Sequence, residues 1–183
     1  DVCGKNGASN SEEYTKNKDL TFVGQGADKT TWGIGATMPD PDKFGTEYNS
    51  DYSFDGAGTV TFKNMTLRSG KADYLGFIRA DKTVVEDCII NGKTFYWGYT
   101  SATFKNTTFN CPTVKKYNIF TVGEYAIWTY CSPVMTFDNC TFNSYGKVIN
   151  VYNENKNADY TINFNNCTVN SIWSPTKQVL NID

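Results

Sequence analysis

Five eight-residue segments of this chain superimpose without a gap, and that repetition constrains the fold more than any other feature. They are VTFKNMTL (60–67), TVVEDCII (83–90), ATFKNTTF (102–109), MTFDNCTF (135–142) and INFNNCTV (162–169). Phe62, Val85, Phe104, Phe137 and Phe164 share one column, and Asn64, Asp87, Asn106, Asn139 and Asn166 another. Met65, Cys88, Thr107, Cys140 and Cys167, all small or flexible, come next, and Leu67, Ile90, Phe109, Phe142 and Val169 close the block. Between the apolar columns stand Lys63, Glu86, Lys105, Asp138 and Asn165, the alternation of a half-buried strand.

The Asn-column members are 23, 19, 33 and 27 residues apart. A fixed block at uneven intervals implies one structural rung carrying loops of variable length. A short strand, a tight turn at Asn and a second short strand suit one coil of a parallel β-solenoid, with like columns stacked about 4.8 Å apart. Asn tolerates left-handed backbone and bonds its neighbours, so a column of it at a turn has a mechanism. The expected fold is all-β: a right-handed parallel β-helix of about six coils with an internal Asn ladder. Third strands are expected at 74–80, 94–100, 124–131, 147–153 and 177–183. Residues 1–18 are expected to cap the N-terminus, with a short helix at SNSEE (9–13), and 19–183 to form the coils.

Composition agrees. The 183 residues include 20 Asn, 23 Thr and 15% aromatics, which favour strands and turns. With 39% hydrophobic residues a core can form. A net charge of −2 argues against a polybasic nucleic-acid binder, and no apolar run approaches the roughly 18 residues of a membrane span. The absence of His removes serine-triad and Cys–His hydrolases and His-ligated zinc. Opening at Asp1 without a leader, and closing on KQVLNID without a polar cap, the chain is expected to be a piece of a longer protein.

The repeat resembles the right-handed parallel β-helix of the pectin-lyase-like superfamily, with its turn ladder of Asn. DLTFVGQGADKTTW (19–32) resembles a first coil, with Leu20 and Phe22 inward and Gly24 in the Asn position. The resemblance covers residues 19–183, with 33–58 fitting poorly, and it speaks for fold more than activity. It brings carbohydrate-active relatives into view, and the chain departs from their patterns. The Gly-His-Gly segment of polygalacturonases and the Asp-Phe-Ile-Phe-Gly motif of pectin methylesterases are missing. Pectate lyases use calcium-binding carboxylates and an Arg or Lys base, whereas this chain has two Arg, Arg68 and Arg79. Arg79 with Asp81, Lys82 and Glu86 is the one tempting constellation, and it reads first as a solvated strand end.

Other motifs read as structure. Cys88, Cys140 and Cys167 share an inward column, no C-x-x-C pair exists, and the pairing of Cys3, Cys111 and Cys131 stays open. Four sequons, at Asn64, Asn106, Asn139 and Asn166, fall in the internal ladder and read as repeat geometry rather than glycan acceptors. GQGADKTT (24–31) lacks the spacing of a phosphate loop and reads as a turn. Thr66, Thr108, Thr141 and Thr168 form an outward column, but Ile89 interrupts it and spoils a lattice for ice.

The aromatic excess remains. FYWGY (95–99), YAIWTY (125–130) and Tyr152 fall on expected third strands, where outward rings would stack into one patch. Such rings suit protein hot spots and sugar faces. The site residues expected are therefore Tyr96, Trp97, Trp128, Tyr130 and Tyr152, with no catalytic residue, cofactor or metal. The expected role is non-catalytic: an adhesin-like module of a bacterial surface or secreted protein, extracellular or at the cell surface, monomeric as an isolated domain, recognising a glycan or host glycoprotein. The alternative is a polysaccharide lyase or hydrolase.

Overall fold

A computed structural model describes residues 15–33, 54, 56–68, 80–91, 94–95, 98–111, 125–129, 134–144, 147–151, 159–171 and 180–182. These form three sheets, all of whose strand pairs are parallel. The first contains β1 (Leu20–Val23), β3 (Ala57–Lys63), β5 (Ala80–Glu86), β8 (Gly98–Lys105), β11 (Val134–Asp138) and β14 (Thr161–Asn165), in that spatial order. The second contains β2 (Thr31–Gly33), β4 (Thr66–Arg68), β6 (Ile89–Asn91), β9 (Thr108–Cys111), β12 (Thr141–Ser144) and β15 (Thr168–Ser171). The third contains β7 (Thr94–Phe95), β10 (Tyr125–Thr129), β13 (Lys147–Val151) and β16 (Leu180–Ile182). Each pass of the chain adds a strand to the first sheet, turns at the Asn column and adds one to the second, a topology that fits a β-solenoid.

The expected columns are the observed register. Phe22 pairs with Phe62, Phe62 with Val85, Val85 with Phe104, Phe104 with Phe137 and Phe137 with Phe164. On the second sheet Trp32, Leu67, Ile90, Phe109, Phe142 and Val169 align in the same way. Parallel in-register strands bring like rings face to face at the strand spacing. Phe104 stacks on Phe137 with centroids 4.9 Å apart, and Phe109 on Phe142 at 4.8 Å. The two stacks meet edge to face, Phe137 against Phe142 at 5.3 Å, which suits the ring quadrupole and fills the core.

The turn explains the Asn column. Asn64, Asp87, Asn106, Asn139 and Asn166 all have positive φ, between 47° and 54°. Left-handed backbone is costly for most L-residues and least so, Gly aside, for Asn and Asp. Each pass is locked to the next by backbone bonds at this corner: the Asn106 N–H donates to Asp138 O at 2.9 Å, and the Thr141 N–H to Thr107 O at 3.0 Å. The ladder itself lies at the surface, which corrects the expectation of an internal one. Asp87, Asn106, Asn139 and Asn166 are exposed, and their amides bond along the outside of the corner. The left-handed residue directs its side chain outward, and it is the residue after it that turns in. The burial argument against the four sequons therefore falls away.

In four of the five turns that following residue carries a polar hydrogen, Met65 being the exception. The Cys88 thiol donates to Glu86 O at 3.2 Å, the Cys140 thiol to Asp138 O at 3.5 Å, and the Thr107 hydroxyl to Lys105 O at 2.9 Å. A small side chain with one donor thus closes the turn onto the carbonyl two residues back, and Cys and Thr are interchangeable there. Cys88, Cys140 and Thr107 are buried, as the inward column requires.

Gly24 occupies the ladder position of the first pass: its N–H donates to Lys63 O at 2.8 Å, as the Asn64 N–H does to Glu86 O at 3.1 Å. It is glycine because of crowding, since a Cβ there would overlap the Asn64 carbonyl oxygen. Of the expected third strands, 74–80 is assigned differently and 94–100 is divided, with Thr94–Phe95 in the third sheet as β7. Ala80, the only described residue of 74–80, begins β5, and Gly98–Thr100 begin β8, so both belong to the first sheet. The expected helix at 9–13 lies outside the described residues.

Candidate binding face

Of the expected site residues, Trp128 lies on β10 of the third sheet. Apolar Ile127 of β10 pairs with Ile149 of β13, which is fully buried, and Ile149 pairs with Leu180. Ile149 faces the core. The next column along the strands contains Phe95, Trp128, Asn150 and Asn181, paired in register across all four strands. The register thus sets Phe95 beside Trp128. Tyr96, Trp97, Tyr130 and Tyr152 lie outside the described residues. The side of β13 that carries Asn150 also carries Val148, which is fully buried. Both sides of that strand are covered at Val148 and Ile149.

The first sheet presents the charged column. Lys63, Glu86, Lys105, Asp138 and Asn165 stand in register on its outer face. Lys63 Nζ lies 2.8 Å from Glu86 Oε2. Its hydrogen bond and charge hold the Glu86 carboxyl below the usual value of 4.5, and the carboxylate in turn raises Lys63 above 10.5. Asn165 Nδ2 donates to Asp138 Oδ1 at 2.7 Å, continuing the ladder with a neutral partner.

Of the charged constellation, Asp81, Lys82 and Glu86 lie on β5. Glu86 is engaged by Lys63 of the preceding pass, and Lys82 stands four residues before it on β5, about 13 Å along an extended strand. The Asp81 carbonyl accepts from the Thr100 hydroxyl at 2.9 Å. Arg79 lies outside the described residues. Among the described residues no three His, Cys, Asp or Glu side chains come together to hold a metal ion.

Burial pushes the Cys88 thiol up to about 11 and the Cys140 thiol to about 12, so both stay protonated at neutral pH and pack as small apolar groups. Thr31, Thr66, Ile89, Thr108, Thr141 and Thr168 do form one column, but Thr66 is buried, its hydroxyl donating to Ala27 O at 2.6 Å. The turn at Ala27 folds over that end of the column, which corrects the outward expectation at Thr66 alone; Thr108 and Thr141 are half-buried and Thr168 is exposed.

A second Asn ladder was missed by the sequence reading. Asn110 Nδ2 donates to Asn91 Oδ1 at 2.9 Å, Asn143 to Asn110 at 2.8 Å, and Asn170 to Asn143 at 2.9 Å. The signal was present: these residues stand one position past the aligned block and repeat the spacings 19, 33 and 27. Neither a family model, nor a curated protein, nor a solved structure matches the chain.

Proposed function

We propose that the chain is a non-catalytic, adhesin-like binding module of a bacterial surface or secreted protein. In this reading it is built as a right-handed parallel β-helix of the pectin-lyase-like type, with about six coils. Its ligand is a glycan or a host glycoprotein, engaged on the third sheet at the column of Trp128. The observation that supports it is the register of that sheet, which stands Phe95, Trp128 and Asn150 side by side on successive parallel strands. Aromatic residues fixed at strand spacing on a sheet lose little freedom when a planar sugar or a peptide docks, and an amide beside them suits hydroxyl groups.

The test is an array of glycans and mucosal glycoproteins, followed by Trp128→Ala with affinity and melting temperature measured on the same sample. The reading expects an affinity loss of about 30-fold, the equivalent of a 2 kcal/mol hot spot, with the melting temperature nearly unchanged. Early melting of the variant places Trp128 in the core and removes the site. Turnover of polygalacturonate with calcium, abolished by Arg79→Ala, would replace this reading with the lyase one.

A further inference from the structure

The column that follows the left-handed residues holds Met65, Cys88, Thr107, Cys140 and Cys167 on successive passes. Backbone bonds carry each pass to the next: the Ile89 N–H donates to Met65 O, Thr108 to Cys88 O, Thr141 to Thr107 O and Thr168 to Cys140 O, at 2.9 to 3.0 Å. Cys88 therefore has Met65 on one side and Thr107 on the other, with no thiol beside it in the column. Cys140 and Cys167 are neighbours. Asp138 pairs with Asn165 before them and Thr141 with Thr168 after them, so the two cysteines stand in register.

Adjacent parallel strands lie about 4.8 Å apart, inside the roughly 4.4–6.8 Å between Cα atoms that a disulfide spans. Both thiols are free in this structure. That of Cys167 leans toward the pass of Cys140, donating to Phe137 O at 3.3 Å. That of Cys140 leans away from Cys167, toward Phe104 O at 3.6 Å and Asp138 O at 3.5 Å. Turning the Cys140 side chain about its Cα–Cβ bond gives up only these two long sulfur contacts and swings the sulfur to the side of Cys167. The two groups already feel each other, since Cys167 is among the charges that raise the Cys140 thiol.

From this geometry we propose that Cys140 and Cys167 are an oxidation site, joined by a disulfide that staples two passes together when the chain meets a small-molecule disulfide such as oxidised glutathione. One cysteine sulfur attacks the reagent and releases one small thiol, and the other sulfur then displaces the second. Two protein thiols and one reagent disulfide become one protein disulfide and two small thiols, which carry off the two protons. Burial holds the Cys140 thiol protonated up to about 12, so the exchange is slow once the corner has folded and is followed during refolding.

The full chain is refolded from urea in reduced and oxidised glutathione at pH 8, free thiols are blocked with iodoacetamide, and the fragments cut before aspartate are weighed. Residues 138–158 and 159–182 carry one cysteine each, Cys140 and Cys167. The expected product is these two fragments joined, about 2 Da lighter than their sum and separated by dithiothreitol. Cys140→Thr and Cys167→Thr should lose it and Cys88→Thr should retain it, the corner accepting a hydroxyl as Thr107 shows. Oxidation should raise the melting temperature by about 5 °C, a shift that Cys167→Thr abolishes. Recovery of the two fragments unjoined, or of either joined to a different cysteine or to glutathione alone, overturns the proposal. An unchanged or lowered melting temperature in the joined chain refutes the staple.

Discussion

Phe137→Ala probes the core where the argument is most quantitative. The ring is fully buried, stacked on Phe104 at 4.9 Å with planes 6° apart and on Phe164 at 5.1 Å with planes 14° apart. The edges of Phe109 and Phe142 close its sides at 6.0 and 5.3 Å. A buried Phe removes roughly 150–250 Å² from water, which at about 25 cal/mol/Å² is about 4–6 kcal/mol before the retained Cβ is discounted. Strands β8 and β14 are fixed by backbone ladders on either side of β11, so the cavity cannot collapse far. A loss of about 4 kcal/mol is expected, within the roughly 3–5 found for such truncations. Phe164→Ala should cost about 2 kcal/mol, because its ring is already 38% exposed. Urea denaturation of both variants gives the values. Hydrogen exchange on neighbouring strands checks whether the loss is local, since repeat arrays unfold by nearest-neighbour units. A cost below about 1 kcal/mol for Phe137→Ala, or a larger one for Phe164→Ala, would refute the inward assignment of this column.

Three further outcomes follow from the turns and the charged column. Asn139→Gly keeps φ near 53° accessible and loses only the amide bonds to Asn106 and Asn166, whereas Asn139→Ala adds a left-handed penalty. Chemical denaturation should find the Ala variant less stable than the Gly variant by about 1 kcal/mol, and equal stabilities would remove the left-handed argument. The Glu86 carboxyl should titrate below 4.5 by NMR and shift upward in Lys63→Ala. Its folded value is depressed, so its stabilisation is present above pH 4.5 and fades as pH falls through the lower folded value. Cys88 and Cys140 should resist a thiol reagent at pH 8 while partly exposed Cys167 reacts first. Because the folded thiols titrate at about 11 and about 12, stability should fall as pH rises above 9, where the unfolded thiols ionise first.

The fold was legible because its period is written in side-chain chemistry. A column of Phe and a column of left-handed Asn each have one physical explanation, and parallel in-register stacking satisfies both at Phe104, Phe137 and Phe164 and at Asn106, Asn139 and Asn166. The placement of the ladder was not legible. Whether Asn106 faces in or out depends on the turn's hand, and an Asn repeat looks the same in sequence either way. Strand ends were also hidden: Ala80 and Gly98 join the first sheet through an irregular register before Lys82 and Ser101, which no alternation of apolar residues announces. The proposed binding face was legible only as a cluster of aromatics. The third strands are short, without a shared block, so sequence placed Trp128 beside Tyr96 or Trp97, while the register pairs it with Phe95.

The most direct test of the account is a set of nuclear Overhauser contacts among the side-chain amides of Asn106, Asn139 and Asn166, which lie 33 and 27 residues apart. Parallel in-register stacking predicts a continuous chain of contacts, Asn106 to Asn139 and Asn139 to Asn166, accompanied by ring contacts from Phe104 to Phe137 and Phe137 to Phe164. Absence of the amide contacts, or contacts that pair Asn139 with residues of an antiparallel neighbour, would contradict it.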